Sequence, residues 1–105
     1  MKLGAIKYEN FFEGRELAKI NDNIYNVNIE VDEIHSYINK KGERKVIFTI
    51  VNDLNNYYYM PESIGMRISD EDIENINSGF DVIKGKFIKV KTKKGFECWS
   101  FEDLD

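Results

Sequence analysis

Ile24-Tyr25-Asn26-Val27-Asn28-Ile29-Glu30-Val31-Asp32-Glu33-Ile34-His35-Ser36-Tyr37-Ile38 is a long strand candidate. Tyr25, Val27, Ile29 and Val31 share one face by the two-residue period of a strand, and the apolar phase then moves to Ile34, Ser36 and Ile38. A period that slips by one residue is the mark of a β-bulge, here near Asp32 and Glu33. A first strand that bends this sharply is what a small barrel needs in order to pair on both of its sides.

The neighbouring segments extend the pattern. Asn39-Lys40-Lys41-Gly42-Glu43 reads as a hairpin loop with glycine available for a positive φ, and Arg44 to Val51 as a strand with Val46, Phe48 and Ile50 on one face. Asn52 to Asn55 makes a turn, and Asn56 to Met60 is a short strand rich in tyrosine. Pro61 interrupts the sheet and opens a helical region up to Ser78. In it Ser69 is the expected N-cap, with Asp70, Glu71 and Asp72 in a first turn whose dipole favours acids, and Ser78-Gly79 ends it. Val82 to Thr92, a turn at Lys93-Lys94-Gly95, and Phe96 to Phe101 form the last hairpin. Before the long strand, Leu3 to Lys7 reads as strand, Tyr8 to Gly14 as a turn or helical turn, and Arg15 to Ile20 as another short strand.

The resulting expectation is a mainly β domain: a five-stranded, curved antiparallel sheet forming an OB-like barrel, with one helical segment between the third and fourth strands. A curled antiparallel sheet packed on the central helix fits the same patterns. Residues 1–105 make one domain, with 1–20 as an N-terminal extension packing on the barrel. Val27, Ile29, Val46, Phe48, Ile50, Ile88 and Val90 are the expected core.

Charge is segregated. The chain carries a formal net charge of −4, which argues against a tight non-specific DNA binder. Yet ten of its fifteen basic residues fall in 40–45 and 84–94, and 84–94 holds six lysines with no acid. Ser69 to Asp81 holds Asp70, Glu71, Asp72, Glu74 and Asp81 with no base. Lysines interleaved with aromatic residues suit a single-stranded nucleic acid, with phosphates on the cations and bases on the rings. Lysine on an edge hairpin also serves to block aggregation between sheets.

Several pieces together resemble the small OB-like proteins encoded by phages and mobile elements, which bind single-stranded DNA or assist a replication enzyme. They are Phe12-Glu13-Gly14-Arg15-Glu16-Leu17-Ala18-Lys19-Ile20, Gly42-Glu43-Arg44-Lys45-Val46-Ile47-Phe48-Thr49-Ile50, Tyr57-Tyr58-Tyr59-Met60-Pro61 and Gly85-Lys86-Phe87-Ile88-Lys89-Val90. The resemblance implies a base-stacking aromatic on the second or third strand, at Phe48, Tyr57 or Tyr59.

Other chemistry is sparse. His35 is the sole histidine and Cys98 the sole cysteine, so neither an internal disulfide nor the paired spacing of a zinc site exists. Both residues read as structural, and no cofactor, metal or catalytic role is expected. The lone thiol suits a reducing, cytoplasmic location, and no segment has the length of a membrane span or the apolar core of a signal peptide. Two functional readings remain open. In one, Lys45, Lys86, Lys89, Lys91 and Lys93 neutralise phosphates of single-stranded nucleic acid while Tyr58, Tyr59 and Trp99 stack on bases. In the other, Asp70, Glu71, Asp72 and Glu74 dock onto a basic, nucleic-acid-processing protein and engage or inhibit it.

Overall fold

A computed structural model describes residues 11–104; the strand expected at Leu3 to Lys7 and the start of the turn expected at Tyr8 to Gly14 lie outside them. The elements run β1 (Glu16–Ala18), α1 (Ile20–Asn23), β2 (Ile29–Ile38), β3 (Arg44–Ile50), β4 (Asn56–Tyr59), α2 (Glu62–Gly65), α3 (Asp70–Asn77), β5 (Lys84–Lys91) and β6 (Glu97–Asp103). The strands form one curved six-stranded sheet in the order β1-β4-β3-β2-β5-β6, a half-barrel with one helical region and a generic OB-like topology. The sheet differs from the expected five antiparallel strands. Leu17 and its neighbours add a sixth, and β1 runs parallel to β4.

β2 holds the two halves together. Its first residues pair with β5 (Ile29↔Gly85, Glu30↔Lys84), and from Val31 onward it pairs with β3. The register shifts between Val31 and Glu33, so the bulge lies at Asp32, where the sequence places it. Beyond the bulge β2 has left β5, and Asn77 of α3 takes up the edge. Its Oδ1 accepts from the Ile34 N–H at 2.9 Å and its Nδ2 donates to the Ile34 carbonyl at 2.7 Å, replacing a strand partner with one side chain. Arg44 ties the other end of the helical region to β3, donating to the carbonyls of Gly65 (3.1 Å) and Ile68 (2.7 Å) and to the Asp70 carboxylate (3.0 Å). Ser69 caps α3 in a reciprocal capping box with Asp72.

The core lies inside the curve. Phe48 stacks on Tyr58 at 5.5 Å and on Phe87 at 5.6 Å, and Ile34, Val31, Met60, Ile68, Ile73 and Ile76 close around them. Val46, Phe48 and Ile50 are buried as the period requires. Val27 and Val90 are instead exposed, at 49% and 40%, while Ile29 and Ile88 are half-buried. Asn26 adopts φ +58°, which bends the chain before the strand begins and takes Tyr25 and Val27 out of the alternation. On β5 the large ring of Phe87, fully buried, claims the inner face, and the Ile88–Val90 face turns outward. The opposite face of β3 is also covered: Ile47 and Thr49 are buried there, with His35 opposite Ile47 and Phe12 between the His35 and Tyr57 rings.

Candidate nucleic-acid or protein interface

The tyrosine run settles into alternate faces. Tyr58 lies opposite Phe48 on the core face and is fully buried, so it is no stacking surface. The pleat allows either one or two of three consecutive residues to face outward, and here Phe48 draws the middle ring in. Tyr58 has a structural role: its hydroxyl donates to Asp53 at 3.2 Å and accepts from Asn23 at 3.4 Å, and burial pushes its pKa up. Asp53 in turn accepts from the backbone of Asn55 and Asn56, the Asn56 amide and Tyr58. Burial opposes ionisation there, and these bonds together outweigh it and hold the carboxyl below its ordinary value of 3.8.

Tyr59 emerges on the other face, where its hydroxyl accepts from Tyr37 at 2.9 Å. There it lines an open groove of about 650 Å³ with Leu17, Lys19, Tyr37, Lys45 and Trp99. Three residues singled out in the sequence, Lys45, Tyr59 and Trp99, thus arrive in one place from β3, β4 and β6. The groove lies at the open side of the half-barrel, between residues of β1 and β4 and the ring from β6. Trp99 is half-buried, edge-on to Tyr25 at 5.9 Å, and the Lys89 ammonium sits 4.9 Å from its ring centre. Lys45 is paired with Glu62 at 2.8 Å, a bond that raises the lysine pKa and lowers that of the glutamate. Both members border solvent, so the pair orients the ammonium without sequestering it.

The remaining lysines divide by pleat. Lys89 and Lys91 share the Phe87 face and lead outward from Trp99 toward Lys93 in the exposed turn. Lys86 points to the other side of the sheet, 3.8 Å from Glu102, and does not join the groove. The acidic segment also divides. Asp70 is engaged by Arg44 and by the Ser36 hydroxyl (2.8 Å), and Asp72 by the Ser69 backbone and side chain; these bonds lower both carboxyl pKa values. Glu71 and Glu74 stand exposed. Tyr37 and Lys19 had no signal in the sequence, since Tyr37 lies one residue out of the apolar phase and Lys19, read as part of a short strand, instead stands at the N-cap of a four-residue helix.

His35 stacks on Phe11 at 4.3 Å with its Nε2 2.7 Å from Glu33, and Cys98 is half-buried and free. Among the described residues no three potential metal ligands converge, and no helix is long and apolar enough to cross a membrane. The small curved-sheet domain therefore presents exposed aromatic and charged residues of the kind that contact nucleic acid or protein. Comparison of the chain with protein-family models, curated proteins and solved structures gives no match.

Proposed function

We propose that this protein binds single-stranded nucleic acid without catalysing a reaction on it, in an accessory role of the phage or mobile-element type that its sequence resembles. The observation carrying this reading is the groove in which Lys45, Tyr59 and Trp99 meet, with Lys89 against the tryptophan. Tyr59 and Trp99 offer flat surfaces to bases, each stacked base contributing roughly 1–3 kcal/mol. Lys45, Lys89 and Lys91 offer cations to the phosphates between them. The chain's negative charge keeps long-range attraction weak, so affinity is modest, and it falls with salt in proportion to the phosphates these lysines neutralise.

Anisotropy of a labelled, unstructured oligonucleotide at several salt concentrations tests this. Changing Lys89 and Lys91 to glutamate should weaken binding and flatten the dependence of log affinity on log salt by about 0.7 for each phosphate no longer neutralised. Absence of wild-type binding at low salt would remove the reading. The second reading, docking onto a basic nucleic-acid-processing protein, rests on Glu71 and Glu74, exposed on α3, and on Phe80 just beyond it, 85% exposed. Glu71→Lys with Glu74→Lys would slow such an association while leaving oligonucleotide affinity unchanged.

A further inference from the structure

Two hairpin turns of the sheet share a Lys-Lys-Gly centre. Asn39-Lys40-Lys41-Gly42-Glu43 joins β2 to β3, and Thr92-Lys93-Lys94-Gly95-Phe96 joins β5 to β6. In each, the first N–H donates to the fifth carbonyl, at 2.9 Å from Asn39 and 2.7 Å from Thr92. In each, the glycine N–H donates back to the first carbonyl, at 3.0 Å and 2.9 Å, and the glycine is left-handed, with φ +80° and +84°. This is the three-residue hairpin loop in which a type I turn closes on a left-handed residue.

The first side chain braces each loop. Asn39 Oδ1 accepts from the N–H groups of Lys41 and Glu43, both at 2.9 Å, and Thr92 Oγ1 accepts from the Phe96 N–H at 3.2 Å. The backbone beneath each lysine pair is thereby fixed. Lys40, Lys41, Lys93 and Lys94 are all exposed, and none forms an ion pair among the described residues. One of the two loops borders the groove that holds Tyr59 and Trp99. Asn39, the first residue of that loop, lines it. Trp99 also lines it, and the β5–β6 ladder runs from Lys89↔Trp99 through Lys91↔Glu97 into the other loop. Two preorganised pairs of cations, together with the rings of Tyr59 and Trp99, match a chain of regularly spaced anions carrying flat apolar groups.

We propose that the two Lys-Lys-Gly loops are a matched pair of phosphate clamps that hold one continuous nucleic-acid strand passing through the groove. The inference rests on the nucleic-acid reading and adds to it that binding is bivalent. Neither clamp alone is strong, but a strand held by one reaches the second at an effective concentration in the millimolar range. Affinity therefore rises sharply once the strand is long enough to span both.

The test is anisotropy of labelled oligo(dT) of about 4, 8 and 16 nucleotides, the range that single OB-type domains occupy. The longest strand should bind at least about tenfold more tightly than the shortest. Lys40→Glu with Lys41→Glu, or Lys93→Glu with Lys94→Glu, should each bring the longest strand close to the affinity of the shortest. Changing both loops together should weaken binding little further. Glutamine variants at the same positions should follow the same order, and circular dichroism checks that the sheet is intact. The proposal is overturned if affinity is independent of length, if a loop variant weakens every length by the same factor, or if one loop has no effect. It is also overturned if polyglutamate competes as well as the oligonucleotide, charge for charge. Equal binding of all lengths would leave the groove reading standing without the clamps, whereas absence of any binding would remove both.

Discussion

Gly85→Ala is the most demanding test of the junction that curves the sheet. Gly85 lies where β5 is paired on both sides, with Ile29 of β2 and with Asp103 of β6, and its φ is +154°. A Cβ there would stand 2.1 Å from the Glu102 carbonyl oxygen, 2.7 Å from Phe101 Cε2 and 3.0 Å from Asp103 Cα. Two of these three are backbone atoms of a paired strand, which no rotamer change can move aside. The alanine variant must adopt a disfavoured backbone conformation, at roughly 1–3 kcal/mol, and push β6 away from its packed position, at roughly 1–3 kcal/mol. A destabilisation of about 2–6 kcal/mol follows, a large part of the roughly 5–15 kcal/mol that holds a domain folded. For a chain of this size about 1 kcal/mol corresponds to ~4–8 °C, so melting should fall by at least about 8 °C. Urea unfolding followed by circular dichroism should show a lower midpoint at unchanged slope. A midpoint equal to that of the wild type would refute this pairing of β5 between β2 and β6.

Two further outcomes concern the polar contacts that complete the fold. Asn77→Ala should destabilise by roughly 1–3 kcal/mol, because it strips both backbone groups of Ile34 of their partner. Hydrogen exchange at the Ile34 amide would accelerate, and a protected amide in the variant would show that β2 finds another partner. Asp53, Asp70 and Asp72 all have pKa values below the ordinary 3.8 in the folded chain. A depressed folded value contributes stability that is present above the unfolded pKa and disappears as pH falls through the folded one. The urea midpoint should therefore drop on acidification below about pH 4, and less so in Asp53→Asn; a midpoint flat down to about pH 2 would count against these bonds.

How far the sequence reveals this molecule depends on which force decides each element. The bulge at Asp32, the loop at 39–43, the Ser69 cap and the Phe48 face were legible because period, glycine and capping chemistry are local. β1 was legible as a short strand, but its parallel pairing with β4 was not, since register between distant segments leaves no local mark. Val27 and Phe87 misled the period for two reasons: a left-handed Asn26 ended one alternation early, and ring size decided which face of β5 turned inward. Of the site, Lys45, Tyr59 and Trp99 were visible as residue types, but their meeting at the open side of the half-barrel depends on its curvature. The roles of Asp70 and Asp72 were half visible: the dipole and cap explain Asp72, whereas the Arg44 and Ser36 partners of Asp70 come from β3 and β2, distant in sequence.

Trp99 is the only tryptophan in the chain, so its fluorescence reports on the groove without labelling. Titrating the protein with oligo(dT) at low salt should quench that emission in a saturable way. The quench should reverse as salt is raised and should weaken in Tyr59→Ala, which removes a neighbouring stacking surface but leaves Trp99 in place. Emission that stays constant while anisotropy of the same labelled strand reports saturation would place the strand elsewhere and contradict a role for the groove in binding it.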